Sequence, residues 1–368
     1  MSLTLEARVQ ALVNRSVKEM QTVRWSAKAV AERGFEPASL VRLREIQRQL
    51  ENALPNVVGQ MRWLVLVMVQ NNPDCHEDLR GMMNALPVSL ADFSVYHYDS
   101  RTAMDVGYQG FDEHDWYRDR VVHRGFVTGS GCTVEALKET IRWMLHGGGS
   151  GRYTHLWKID SDLGFGLFRY QAFAALVAHR APFLCQPAIV PWMRGKRATD
   201  RASLRAQLAP FPTPHVLGRE RLLLPVTPPK DDVEIMCPLI DARILPAVAV
   251  AIEPMDTRND VVAGEAINTI AQAFARVARA RAIAEGSTRP QRPGGLVFDY
   301  VPLIHRDSRL LGWGSRTRAS KNETRCPRGR IDGRFGRGNH PRHGKWRSVF
   351  ANATSVGTDF GRWVKAMA

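Results

Sequence analysis

The chain lacks paired cysteines, membrane-length apolar runs and any excess of acid. Its 368 residues hold five cysteines, Cys75, Cys132, Cys185, Cys237 and Cys326, and none has C-x-x-C spacing. That spacing argues against a zinc ribbon and against a disulfide framework, so a reducing compartment is the simpler expectation. The apolar run WLVLVMV, Trp63 to Val69, is too short to cross a bilayer, which takes about 20 residues. The opening MSLTLEARVQALVNRSVKEMQ is amphipathic and has no signal-peptide apolar core. The expectation is a cytoplasmic protein without a membrane span.

Hydrophobic residues make up 44% of the chain and charged residues 24%, the balance of a globular protein with a sizeable core. The net charge of +15 is unevenly placed. From Arg306 onward there are 15 Lys or Arg against 4 Asp or Glu, a net of +11, which leaves +4 for the first 305 residues. Basicity therefore characterises the tail and not the body, and a polyanion partner is a question about the tail alone.

Residues 1–58 read as helical. Pro37 opens a segment in which Leu40, Leu43, Ile46, Leu50 and Leu54 recur every three or four residues. Arg42, Arg44 and Arg48 fall on the remaining surface, read as a solvated face. The texture changes at Arg62. RWLVLVMVQNN reads as a buried parallel strand, CHEDLRGMMNAL as a helix, DFSVYHYDS and RVVHRGF as strands. GSGCTVEALKETIRWMLHG reads as a helix with Thr133 as candidate N-cap and a glycine stop. YTHLWKID is the next strand, GLFRYQAFAALVAHR a helix, and APFLCQPAIV another strand. VEIMCPLID reads as a short strand and turn, 261–285 as an Ala-rich helix, and GGLVFDYVPLIHRDS as a last strand. Alternating strands and helices imply a mostly parallel sheet with helices on both faces, and ligands bind beyond the carboxyl ends of such strands.

One such end carries Asp160 and Asp162, one residue apart, in HLWKIDSDLGF. Like charges so close disfavour each other's ionisation unless something compensates. A hard divalent cation is a natural partner: oxygen ligands suit Mg²⁺ or Mn²⁺, often shared with substrate phosphates. A solvated turn explains the same residues without any ligand. Asn71, Asn72 and Asp99 follow two other strands and are candidates to line the same crevice. Lys158, Arg194, Lys196 and Arg197 read as a solvated cluster, with phosphate contact as the alternative. GSGC, Gly129 to Cys132, lacks the Lys and spacing of a P-loop and reads as a helix lead-in.

YTHLWKIDSDLGF resembles the Y-x-x-x-(F/L)-W-D-E-D-L-G-x segment of a large plant and microbial family of uncharacterised proteins. Its members carry a label relating them to lysine-ketoglutarate reductase trans-splicing factors, and the family looks like glycosyltransferases of the GT-A type. Further matches keep the family's order: Gln186-Pro187-Ala188, Glu234 in VEIMCPLIDARIL, and Asp299 and His305 in VFDYVPLIH. The chain departs from the pattern with Ile159 before the first acid, Trp157 two positions earlier, and Ser161 between the acids. In VVAGEAIN only Gly264 and Glu265 match the family's Gly-Trp-Gly-(Leu/Met)-Asp. The resemblance spans roughly residues 62–312.

The resemblance implies an α/β, GT-A-like (nucleotide-diphospho-sugar transferase-like) fold: a mostly parallel sheet flanked by helices, preceded by an N-terminal helical segment. The implied units are 1–58, the α/β domain at 59–312 and a basic, poorly ordered tail at 313–368. It implies a nucleotide-sugar donor, an unknown acceptor and a Mn²⁺ or Mg²⁺ ion. Asp160 would contact ribose or metal-bound water, Asp162 would ligate the metal, and His305 would approach metal and diphosphate. Glu234 is the candidate general base, with Glu265 and Asp260 as competitors. Each has an ordinary structural alternative: a hydrogen-bonded strand-end histidine for His305, a turn-capping carboxylate for Glu234.

Other classes remain open from the residues alone. A phosphoryl-transfer enzyme also uses an Asp pair, but there the motif normally lies on the first strand and is followed by Gly-Thr, whereas Leu163 and Gly164 follow here. A non-catalytic sugar-binding relative fits the same motifs. TRCPRGRIDGRFGRGNHPRHGKWR interleaves Arg and Gly with Phe335 and Trp346, a pattern suited to phosphates and stacked bases. If the tail binds nucleic acid, RNA affinity measured by filter binding will fall steeply with salt, and deleting 313–368 will abolish it. Salt-independent binding, or binding that survives the deletion, contradicts that reading.

Overall fold

A computed structural model describes residues 37–53, 58–69, 73–97, 111, 114–126, 133–161, 163–192, 233, 236–253, 255, 260–287 and 292–306. Eight strands form one sheet: β1 (Trp63–Val69), β2 (Ala91–His97), β3 (Val121–Phe126), β4 (His155–Asp160), β5 (Leu163–Gly164), β6 (Leu184–Trp192), β7 (Leu239–Asp241) and β8 (Gly295–Arg306). Their order is β3-β2-β1-β4-β7-β6-β8-β5. The pairs β1–β2, β2–β3, β1–β4 and β6–β8 are parallel, whereas β7 and β5 run antiparallel to their neighbours. The expected mostly parallel α/β sheet is what the chain forms. The two reversed strands have only three and two residues, too short for hydrophobic alternation to reveal.

Strand β1 forms as a continuous apolar run, whereas β2 interleaves Asp92, Ser94 and His97, each with a hydrogen-bond partner in the core. Every residue of β1 and β2 is buried. Adjacent residues of β4 point to opposite faces. Trp157 faces an aromatic group of Trp63, Phe165, Phe168 and Phe173, with ring centroids 5.3–6.1 Å apart. Phe173 belongs to helix α5 (Tyr170–Arg180), which packs on β8 and on α1 (Pro37–Ala53). On the other face, Ser94 hydrogen-bonds Thr140 of α4 (Thr133–His146) at 3.2 Å. There α4 meets α6 (Leu245–Ile252) and α7 (Asp260–Ala284). The other α-helices among the described residues are α2 (Pro73–Ala85) and the short α3 (Asp115–Arg118).

Helix α6, LPAVAVAI, was not expected from the sequence. Its Ala/Val run has no amphipathic period because most of it is buried, and Pro246 near its start is well suited to a first turn. Residues 1–36 and the tail from 307 lie outside the described residues. Helix α1 is not a solvated appendage: Gln47 is fully buried and donates to Leu167 O at 3.0 Å, and Arg44 donates to Gly166 O at 2.7 Å.

The amino ends of the strands are stitched by arginines. Asp92 accepts from Arg62 (2.6 Å), Arg152 (2.9 Å) and Tyr153 (2.8 Å). Arg120 donates to the carbonyls of Met83, Leu86 and Ala91. Asp241 is paired with Arg243 and Arg292, the latter at 2.7 Å. Burial alone would raise the Asp241 pKa, but the hydrogen bonds from Arg243 and the charges of His155 and Arg243 outweigh it and hold the carboxyl low. His155 is pushed down to about 4, first by burial and further by the nearby arginines, against the opposing pull of Asp241.

These shifts set an acid limit. The unfolded chain protonates His155 near its ordinary 6.5, but the folded chain resists until about 4. Stability is therefore expected to fall between pH 6.5 and 4, by about 2–3 kcal/mol at pH 4.5 from this group. Below that, protonation of Asp241 removes more as pH drops through the unfolded carboxyl range, because its folded pKa is depressed. Urea unfolding at pH 7 and 4.5 checks this: a His155→Gln variant should show a shallower loss than the wild type. Equal slopes contradict the assignment.

Candidate functional site

In an open parallel sheet, the crevice forms where successive strands depart to opposite sides. Here β1 is followed by β2 on one side, and β4 pairs on its other side. Asp160 ends β4 directly opposite Met68 of β1, so it stands at that switch point. Strand β4 ends at this residue: the five residues before Asp160 are buried and Asp160 is half-exposed.

Both edges of β4 are fixed. The segment before β7 runs antiparallel beside it: Lys158 N donates to Pro238 O (3.1 Å) and Asp160 N to Met236 O (3.0 Å). The Trp157 indole N–H adds a bond to Cys237 O at 3.0 Å. One residue of that segment, Val233, is held from α7. The Asn268 amide accepts from Val233 N and donates to Val233 O, both at 2.9 Å, and also donates to Gly264 O at 2.9 Å. Asn268 and Val233 are buried. The chain is thus pinned at 233 and at 236.

Beyond Asp160 the chain crosses to β5, whose Leu163 pairs with His305 of β8. Three residues span at most about 11 Å of chain, which brings the carboxyl end of β4 near the carboxyl end of β8. His305 also pairs with Pro191, near the end of β6. Arg44 and Gln47 of α1 hold the carbonyls just after β5.

The expected site residues divide accordingly. Asp160 and the backbone of His305 come to one end of the sheet, and Glu265 lies half-buried on the first turns of α7, next to Gly264 of the Asn268 clamp. Asp162, Glu234, Asn71, Asn72 and Asp99 lie outside the described residues, as do the side chains of His305, Asp299 and Asp260. In sequence, Asp162 precedes Leu163, Glu234 follows the clamped Val233, and Asn71 and Asp99 each follow the last residue of a parallel strand by two. Arg194, Lys196, Arg197 and the GSGC lead-in also lie outside.

Two residues were misread or missed. Lys158 does not belong to a solvated cluster: it is buried, and its Nζ is bonded to Asp160 Oδ1. A strand position two residues from Asp160 on the same face was the available signal. Asn268 went unremarked, although an Asn inside an Ala-rich helix is locally unfavourable and asks for a tertiary partner.

Among the described residues, no three His, Cys, Asp or Glu side chains gather as a metal group, and no helix is long and apolar enough to cross a membrane. Asp160 suits a cation in kind, since a carboxylate offers about four lone-pair sites.

No protein-family model matches the chain, and no curated protein matches it. Solved structures with a similar chain trace include a mannosyltransferase from Pyrobaculum calidifontis in complex with GDP-Man and Mn²⁺ (13% identity, 82% of this chain and 69% of that one, TM-score 0.40). Residues 1–349 of S. aureus TarS match at 9% identity over 83% of this chain and 70% of that one, TM-score 0.41. Glucosyl-3-phosphoglycerate synthase from Mycobacterium tuberculosis matches at 15% identity over 76% and 84%, TM-score 0.31. A likeness of this depth carries no argument on its own, and the reading below rests on the chain's own residues.

Replacing Asn268 by Ala leaves a buried N–H and C=O at Val233 without partners, at about 1–3 kcal/mol for each unsatisfied group. Asn268→Ala should therefore lower unfolding free energy by at least about 2 kcal/mol in urea titration. A change within about 0.5 kcal/mol contradicts the clamp.

Proposed function

We propose that this chain is a metal-dependent glycosyltransferase that moves a sugar from a nucleotide-sugar donor to an acceptor still to be identified. The observation that carries the reading is the position of Asp160, first acid of the Asp-x-Asp pair, at the switch point of a mostly parallel sheet. Such crevices hold nucleotides in α/β sheets generally. The pairing of Leu163 with His305 supports it, because it brings the backbone of the late V-x-D-x-x-x-I-x-H segment of the resemblance to the same sheet end.

Asp162 and His305 would hold the cation, with Asp160 oriented toward ribose or a metal-bound water. A hard cation placed there neutralises charge that develops on a diphosphate leaving group. The chain's own groups would do the rest. Glu234, between the clamped Val233 and the strand-bound Met236, would take the proton from an acceptor hydroxyl in an inverting transfer. The hydroxyl oxygen bonds to the anomeric carbon and the nucleoside diphosphate departs. Glu265, on the helix that carries the clamp, is the competing base. Asn71 and Asp99 would flank the nucleotide. The motif's position on β4 rather than on the first strand weighs against phosphoryl transfer through an aspartyl nucleophile.

A thermal-shift measurement tests this. Mn²⁺ with a UDP- or GDP-sugar at about a hundredfold above Kd should raise Tm by about 5 °C, and Asp162→Ala should abolish the shift. No shift with any nucleotide sugar contradicts the proposal.

A further inference from the structure

A lysine is seldom buried without a partner, since an isolated ammonium in an apolar setting is costly. The Lys158 side chain is only 4% exposed and makes an ion pair with Asp160, whose side chain is 37% exposed. The two stand at i and i+2 of β4, on one face of the sheet, with Leu66 and Met68 beside them on β1. The ammonium therefore lies in the core directly behind a carboxylate that opens on the crevice. On this face β2 presents Ser94 and Tyr96, and the helix above it brings Glu139 and Glu135 of α4 close to Tyr96.

The charges make this arrangement consequential. Asp160 and Asp162 would together present two negative charges to a ligand that is itself an anionic diphosphate. A bound cation is one remedy, and Lys158 is a second, permanently in place. We propose that Lys158 is a positioning residue and resident cation of the site: its ammonium fixes the Asp160 carboxylate and cancels its charge, so that the crevice accepts a nucleoside diphosphate with less dependence on metal. This rests on the glycosyltransferase reading above.

The proposal predicts effects of opposite sign. Lys158→Met fills the same space with an apolar chain, a replacement that buried ion pairs often tolerate without loss of stability. One positive charge is removed a few ångströms behind the site. By calorimetry at low salt, Mn²⁺ alone should bind about tenfold tighter to the variant, and UDP or GDP without metal about tenfold weaker. Should Lys158→Met lose the fold, Lys158→Gln decides by the same two readouts, since it also removes the charge while keeping a hydrogen-bond donor for Asp160.

A merely structural lysine gives a different result: both affinities fall together with Tm, or neither changes, and either outcome overturns the proposal. If the wild type binds UDP or GDP and the variants match it, only the role of Lys158 falls. If the wild type binds neither nucleotide with or without Mn²⁺, the glycosyltransferase reading falls first and the proposal with it.

Discussion

The backbone of β4 has partners on both edges up to its last residue, and that constraint places everything at the candidate site. On one edge it lies in register with β1; on the other it donates to Pro238 and Met236. Asp160 therefore cannot swing out as a loop carboxylate would. Its direction is fixed by strand alternation, its oxygen is engaged by Lys158, and its height above the sheet is set by the pairing with Met68. The aromatic packing of Trp157 against Trp63 and Phe173 on the opposite face anchors the same strand in the core. Rigid placement on a strand end is what a site needs if it is to hold a ligand in one geometry.

The two ends of the sheet are built differently. At the amino ends, Asp92 and Asp241 are each bound by two arginines, and Arg120 caps three carbonyls. Those charges are engaged in holding the amino ends of the strands together. At the carboxyl ends, among the described residues, the buried Lys158 pairs with the partly exposed Asp160. Acid sensitivity belongs to the first end, through His155 and Asp241, and the proposed ligand site to the second.

Much of this was legible in the sequence. The strand at 63–69 is an apolar run closed by polar residues, and both buried faces of a parallel sheet produce that signature, whereas those at 91–97 and 155–160 mix aromatic and β-branched residues with polar ones. Helices α4 and α7 announced themselves by length. What stayed hidden depends on tertiary partners. The strands β5 and β7 exist because neighbouring strands offer free edges, not because two or three residues have a preference. Helix α6 is buried on most sides and so has no periodic pattern. The Asn268 clamp joins residues 35 apart, and only the hydrogen bonds reveal it. Lys158 looked like a surface charge because its partner's orientation is a property of the sheet.

The central claim is that the Asp-x-Asp end of β4 faces a crevice where a divalent ion bridges protein and diphosphate. A crystal structure with Mn²⁺ and UDP or GDP, read by anomalous scattering at the manganese edge, addresses it most directly. The account predicts a manganese peak between the carboxyl ends of β4 and β8, in contact with Asp162 and the diphosphate. A nucleotide bound elsewhere, or a peak remote from Asp160 and His305, would contradict it.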